Sequence, residues 1–194
     1  MLIDDLYLDL KSKVSENRYN HVIRVLETAR KIAVKYNVSQ EKLEIAVLLH
    51  DILKEENVGK LEEMCKGYDY KELESKEAKS VIIHGFAAAV YAIEKYNIYD
   101  IDILNAVKYH TIGRGGMSLL EKIVYIADGI EPARNYPHVN EIRELVKNDI
   151  DEAMLYEIER KILYLSTSNK AIHPNAYEIR NWLLEVVKRR NETC

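Results

Sequence analysis

Four histidines and two aspartates in this sequence sit where a folding chain ordinarily places hydrocarbon. His50 and Asp51 end the run EIAVLLHD, residues 44–51; His21 lies within RYNHVIRV, His84 follows SVII, His110 follows DILNAVKY, and Asp128 follows KIVYIA. An imidazole or carboxylate delivered into a core costs on the order of a few kcal/mol unless something pairs with it. Six unrelated groups would each need a separate partner, whereas one shared metal centre satisfies them all. Imidazole nitrogen with carboxylate oxygen suits Mn, Fe, Co, Ni or Zn, and six donors exceed the ligand set of a closed structural zinc site. The surplus implies open coordination positions or a second ion.

Gathering residues as distant as 21 and 128 needs a packed scaffold, and the sequence points to helices. Only three Pro and seven Gly occur in 194 residues, with almost no period-two alternation. Tyr19, Val22, Ile23, Leu26, Ala29, Ile32, Ala33 and Tyr36 recur at three- and four-residue steps, which predicts an amphipathic helix over residues 16–36. Ser39 is placed to cap the next helix, read as running through EIAVLLHDILK to Lys54. Further helices fit residues 58–67, 84–96, 100–110, 118–130, 139–148, 151–168 and 175–190, with short polar gaps. The expected class is all-α, with residues 1–194 forming one domain, since no repeat, low-complexity tract or linker divides them.

Composition narrows the partners. With 28 basic against 32 acidic residues the net charge is -4, which argues against a nucleic-acid surface or a polybasic membrane anchor. An anionic substrate would have to be met by local positive charge. Cys65 and Cys194 follow no metal-ligand or disulfide spacing, which points to a reducing, cytoplasmic compartment. The start, MLIDDLYLDL, carries acid where a signal peptide needs Lys or Arg, and no apolar run approaches the roughly 20 residues of a membrane span. Fourteen Tyr against one Phe fit half-buried helix positions.

The order His21, His50-Asp51, His84, His110, Asp128 resembles the HD-domain metal-dependent phosphohydrolases, and within them the YqeK branch of symmetrical dinucleoside tetraphosphate hydrolases. The matching pieces are RYNHVIRV, LLHDILKE, IIHGFAAA, KYHTIGRGGMSLLEKIVYIADGIEPAR and IHPNAYEIRNW. They span nearly the whole chain, and residues 110–134 are the most specific. The resemblance implies an all-helical bundle around a mono- or binuclear centre. His21, His50, Asp51 and Asp128 would hold the primary ion, while His84 and His110 would hold a second ion or contact phosphate. Iron is the first choice of metal, one or two per chain, with Mn, Co, Ni or Zn as alternatives. Two positions depart from the pattern: Pro137-His138 stands where Pro-Gly is expected, and Asn175 where Thr or Ser would follow the HP pair. Both lie outside the ligand set and bear on nucleotide fit.

Several cations and one loop lie close to these ligands in sequence. Lys54 is four residues after His50 and three after Asp51, on one helical face with both, and is read as a phosphate contact and, with Asp51, a catalytic residue. Arg18 precedes His21 by three residues and would touch phosphate or pair with a carboxylate behind the ligands. Arg134, just past Asp128, offers a guanidinium fork for two phosphate oxygens. Thr111 and Gly113, in TIGRGG, would let backbone N–H groups approach a nucleotide, although the loop lacks P-loop spacing. His173 lines the pocket or begins a helix, and His138 reads as a surface residue.

The expected reaction is metal-assisted hydrolysis of a nucleotide phosphoanhydride, in which the ion lowers the pKa of water and offsets phosphoryl charge. Asp51 would orient that water or take its proton. No Ser or Cys stands in a recognisable triad, so no covalent intermediate is expected. Diadenosine tetraphosphate cleaved to two ADP is the version the resemblance implies. The alternatives are another HD activity (a nucleotidase, a cyclic-nucleotide phosphodiesterase or a guanosine-tetraphosphate hydrolase) and a non-catalytic nucleotide-binding module. The expected partner is a small-molecule nucleotide, with neither nucleic acid nor membrane, and a homodimer is left open.

Overall fold

A helix that is apolar on every side must be enclosed by others, and α3, Gln40–His50, is one: Leu43 and residues 45–49 are all buried. The structure, a computed structural model, describes residues 2–74 and 76–192; Cys194 lies outside them. Packed around α3 are α1 (Leu2–Lys13), α2 (Glu16–Ala33), α5 (Lys76–Tyr96), α6 (Ile101–Tyr109) and α7 (Leu119–Ile130). The short α4 (Val58–Met64) lies against α5, α8 (Val139–Leu145) against α7 and α9, and α9 (Ile150–Thr167) pairs with α10 (Pro174–Glu192) and rests on α7. No strand occurs among the described residues, so the class is all-α. None of the described helices is long and apolar enough to cross a membrane.

Local chemistry sets most helix ends. The Ser15 and Ser39 hydroxyls accept from the N–H groups of Arg18 and Lys42, and Ser118 forms a capping box with Glu121. Each such cap is worth about 1 kcal/mol. Five ends lie three or more residues from expectation, among them those of α4 and α8, which stop at Met64 and Leu145, each three residues short. α2 stops at Ala33, three residues short. α3 stops at His50: Asp51 is its C-cap at φ -116°, ψ 12°, and residues 51–56 form tight turns in which Ile52 N–H donates to Leu49 and Lys54 N–H to Asp51. α5 begins at Lys76, eight residues before the expected start. The β-branched run 81–83 is a weak helix former, but Ile82 and Ile83 are buried, and their packing decides.

Nine of the fourteen tyrosines are half-buried, while Tyr68, Tyr99, Tyr164 and Tyr177 are exposed and Tyr125 is buried. Tyr7, Tyr91 and Tyr109 point their hydroxyls at the carboxylates of Glu44, Asp9 and Glu72, at 2.6–2.9 Å. An apolar ring faces the core while its hydroxyl is satisfied at the rim.

One glycine controls how closely α5 and α6 approach. A Cβ on Gly85 would stand 2.8 Å from the carbonyl oxygen of Val107, 3.1 Å from that of Lys108 and 3.2 Å from Cε1 of His110. Two of those atoms are backbone, so relief requires the helices to separate. Gly85→Ala is therefore expected to destabilise the protein by about 1–3 kcal/mol, as overpacking does, despite alanine's higher helix propensity. A thermal melt checks this; an unchanged or raised midpoint would show that α5 and α6 can part at no cost.

Candidate metal centre

Five elements each deliver part of one cluster. α2 carries His21 on its buried face, α3 ends in His50 with Asp51 as its cap, α5 carries His84, His110 caps α6, and α7 presents Asp128 in its last turn. His50 is wholly buried, and His21, Asp51, His84 and His110 are 2–6% exposed. The Asp128 side chain is 19% exposed and marks the side open to solvent.

Asp51 is the centre. Its Oδ2 lies 3.6 Å from Nε2 of both His21 and His50, and its Oδ1 lies 3.2 Å from Nε2 of His84 and 3.6 Å from Nε2 of His110. Asp128 Oδ1 is 3.1 Å from His21 Nε2, and the Nε2 atoms of His84 and His110 are 3.0 Å apart. Two groups could each hold an ion, His21–His50–Asp51 and Asp51–His84–His110, with donor atoms within 4.8 Å of one another. They share one carboxylate.

The outer hydrogen bonds orient the rings. His50 Nδ1 lies 2.6 Å from the Val47 carbonyl and His110 Nδ1 2.7 Å from that of Val107, so each Nδ1–H donates outward and leaves Nε2 facing the cluster. His21 Nδ1 donates in the same way to Glu131 Oε1 at 3.1 Å. Metal-ligating imidazoles characteristically make this bond with the nitrogen that does not bind the ion. Sequence reasoning missed Glu131 as that partner, and Arg24, whose Nε donates to Glu131 at 2.7 Å. Arg24 is three residues after His21 and Glu131 three after Asp128, so a one-turn search from each candidate ligand would have found both.

Buried polar atoms without hydrogen-bond partners test whether these residues suit a metal. Nε2 of His21, Nε2 of His50 and Oδ1 of Asp51 have none, since their close contacts lack hydrogen-bond geometry. Leaving such an atom unsatisfied costs about 1–3 kcal/mol, and here they converge on one point. The charge state also fits. Burial pushes His50 and His84 down to about 4, which keeps both rings neutral at neutral pH. Burial alone would raise Asp51 and Asp128, but the imidazoles of His50, His84 and His110 hold Asp51, and those of His21 and His50 hold Asp128, well below the usual carboxylate range. Neutral imidazole with ionised carboxylate is the donor set a divalent ion requires.

The profile of the HD domain family matches residues 18–133 of this sequence, from Arg18 through Asp128 and just beyond. The chain belongs to that family. Among curated relatives, the symmetrical bis(5'-nucleosyl)-tetraphosphatase of Bacillus subtilis is 33% identical, over 90% of this chain and 94% of its own. The Staphylococcus aureus protein of the same name is 37% identical, over 89% of each. A crystal structure of an HD superfamily hydrolase from Clostridium acetobutylicum, described as involved in NAD metabolism, is also 37% identical. It superimposes with a TM-score of 0.87 over 94% of this chain and 96% of that one. HD domains bind divalent metals, and the cluster around Asp51 is where this HD domain has the donors to do so.

The HD domain also gathers most of the other candidate residues. Lys54 Nζ reaches His84, 3.2 Å from Nε2 and 3.4 Å from Nδ1, although α3 has already ended; the turn after Asp51, not a shared helical face, carries it inward. Burial lowers its pKa, offset by Asp51 and Asp128. Arg18 Nη1 donates to Asp51 Oδ2 at 2.8 Å, a contact with a candidate ligand itself rather than with a carboxylate behind the ligands. Arg134 donates from Nη2 to Asp128 Oδ1 at 2.6 Å and from Nε to the Asp128 carbonyl at 2.9 Å, with 38% of its side chain exposed. Thr111 Oγ1 is 3.0 Å from His110 Nε2.

Gly113 stands apart from the cluster. At φ +65° its N–H donates to the Tyr109 carbonyl at 2.7 Å and closes the end of α6. A Cβ there would lie 2.4 Å from Ile179 of α10. Arg114, in the same loop, is fixed by Glu121. His173 lines a cavity that includes Thr111 and also begins the α10 turn, with Nε2 donating to the Glu72 carbonyl at 3.0 Å. Because a carbonyl only accepts, Nε2 is the protonated nitrogen, and Nδ1 accepts from Asn175 N–H at 3.2 Å.

Proposed function

We propose that this HD domain hydrolyses symmetrical dinucleoside tetraphosphates, cutting diadenosine tetraphosphate into two ADP, with residues 1–194 acting as one unit. The observation that carries the reading is the Asp51 carboxylate shared by two histidine pairs whose Nε2 atoms converge on it. Near-full-length similarity to two symmetrical bis(5'-nucleosyl)-tetraphosphatases supplies the substrate. Iron in one or two positions is the proposed metal, and the cytoplasm the compartment.

His21, His50, Asp51 and Asp128 would hold one ion, and Asp51, His84 and His110 a second. A bound divalent ion supplies a Lewis acid that acidifies water and offsets charge on the attacked phosphoryl oxygen. The chain's own groups do the rest. Arg18 and Arg134 fix the carboxylates of Asp51 and Asp128, which keeps both acceptors aimed inward. Asp51, the carboxylate common to both donor groups, would orient the attacking water. Lys54, at the wall of the site beside His84, offsets charge on the departing phosphate, and the exposed face of Arg134 grips the polyphosphate.

Incubation of the purified protein with Fe, Mn, Co or Mg and a nucleotide panel tests this. ADP as the sole nucleotide product from diadenosine tetraphosphate is expected. ATP with AMP would signal asymmetric cleavage. NAD belongs in the panel, given how the Clostridium structure is described, and faster release of AMP from NAD would overturn the proposal. Lys54→Ala should lower kcat/KM by roughly tenfold to a hundredfold, the loss of a charge-assisted contact of about 1.5–3 kcal/mol. Lys54→Arg should recover part of it, and metal content should stay unchanged in both; wild-type kinetics in Lys54→Ala would make the lysine a bystander.

A further inference from the structure

Residues 111–116 run from the end of α6 toward the Ser118 cap of α7, so this loop joins the helix that delivers His110 to the helix that delivers Asp128. It holds three glycines in six residues, at positions 113, 115 and 116. Such a stretch has little conformational preference of its own. Its first residue nevertheless has an exacting position: Thr111 Oγ1 stands 3.0 Å from Nε2 of His110, the nitrogen that His110 turns toward the cluster. Something outside the loop must hold it there.

Helices α9 and α10, which lie beyond residues 18–133 that match the HD family, supply the hold. From α9, Lys161 Nζ donates to the Thr111 carbonyl at 2.9 Å. From α10, Asn175 Nδ2 donates to the Gly113 carbonyl at 3.0 Å, and Glu178 Oε1 accepts from the Gly115 N–H at 3.0 Å. Ile179 occupies the space that a Cβ on Gly113 would need, so α10 packs directly on the loop backbone. We propose that Asn175 is a positioning residue, which through the Gly113 carbonyl holds Thr111 against His110, with α9 and α10 closing as a clasp on the loop. In its bearing on catalysis this rests on the hydrolysis proposed above.

Asn175 is suited to the task on three counts. Its carbonyl target belongs to a buried residue, where losing the donor leaves an acceptor short of a partner. Asn175 is itself anchored, because its backbone N–H donates to His173 Nδ1 at 3.2 Å while His173 Nε2 donates to the Glu72 carbonyl. The Gly113 N–H, in turn, donates to the Tyr109 carbonyl at 2.7 Å, which ties the clasped residue to the last turn of α6, one residue before His110. A push on Gly113 is thereby passed to both neighbours of Thr111. The departure at position 175 from an expected Thr or Ser keeps a side-chain donor, and the structure turns that donor to the loop.

Two measurements on the metal-loaded protein test the clasp, one of them without substrate. Asn175→Ala should speed amide hydrogen exchange in the peptide covering residues 111–116 roughly tenfold and leave α3 protected. Asn175→Asp, of nearly the same shape but without the amide donor, should do the same, and Asn175→Thr, whose hydroxyl can donate, should return part of the protection. Unchanged exchange in Asn175→Ala and Asn175→Asp overturns the proposal. The second measurement is a double-mutant cycle on diadenosine tetraphosphate. Asn175→Ala should lower kcat/KM about tenfold, as a small misplacement at a reacting centre does. In a Thr111→Val background the same change should cost about twofold or less, because a residue that acts through Thr111 has nothing left to act on. Equal losses in both backgrounds overturn the proposal, since a general structural defect would produce them. Wild-type protein that releases no ADP counts against the proposed function alone, and the exchange result then decides whether Asn175 holds the loop.

Discussion

Asp51→Asn is expected to lower diadenosine tetraphosphate turnover at least a hundredfold while leaving the helical circular dichroism spectrum intact. Asp51 faces His21 and His50 through one oxygen and His84 and His110 through the other. An amide offers only one oxygen, and its nitrogen is no ligand, so either orientation deprives one histidine pair of its carboxylate. The negative charge held between four imidazoles is lost as well. A hundredfold is about 2.7 kcal/mol of barrier, within what removal of one charged group from a metal site does. Folding should survive, because the amide oxygen can still accept from Arg18. Circular dichroism, metal content and ADP release on one preparation decide it; near wild-type hydrolysis by the variant would refute the mechanism.

Chelation should abolish ADP release entirely, the other large effect, and should lower the unfolding midpoint. The unpartnered Nε2 atoms of His21 and His50 and Oδ1 of Asp51 gain partners when an ion binds and lose them when it leaves. A ligand that binds only the folded state adds about 2.7 kcal/mol at a hundred times its dissociation constant. Adding Fe, Mn or Co to stripped protein should restore both activity and midpoint. Elemental analysis that finds no transition metal, together with a midpoint indifferent to added ions, would leave the cluster as a buried polar network and the family's chemistry absent from this chain.

How much of this was visible in the sequence follows from which forces act locally. Helix periodicity and serine caps depend on residues three or four apart, so the helices from residue 16 onward, the N-cap at Ser39 and the all-α class could be read along the chain, while α1 and the Ser15 cap were not. The ligand types could be read too, because a His or Asp at the end of an apolar run such as 44–51 is costly wherever it lands. The order of those six residues was enough to suggest the family.

What depends on residues brought together from afar was decided by the tertiary structure. That Asp51 is shared, rather than one ligand among several, follows from where α2, α3, α5 and α6 cross. The crossing is set partly by Gly85, whose missing Cβ has meaning only against the Val107 carbonyl twenty-two positions on. Lys54 was placed beside the ligands for the wrong reason: the helix that should have aligned it ends at His50, and the following turn does the work. That Arg18 pairs with the ligand Asp51 itself, rather than with a carboxylate behind the ligands, is likewise visible only in the tertiary structure. His138, marked in the sequence as a departure from an expected glycine, lies at φ +73°, a conformation that favours glycine. A sequence records which groups need partners, but the partner of a buried charge is chosen by packing, because only packing removes the water that would otherwise serve.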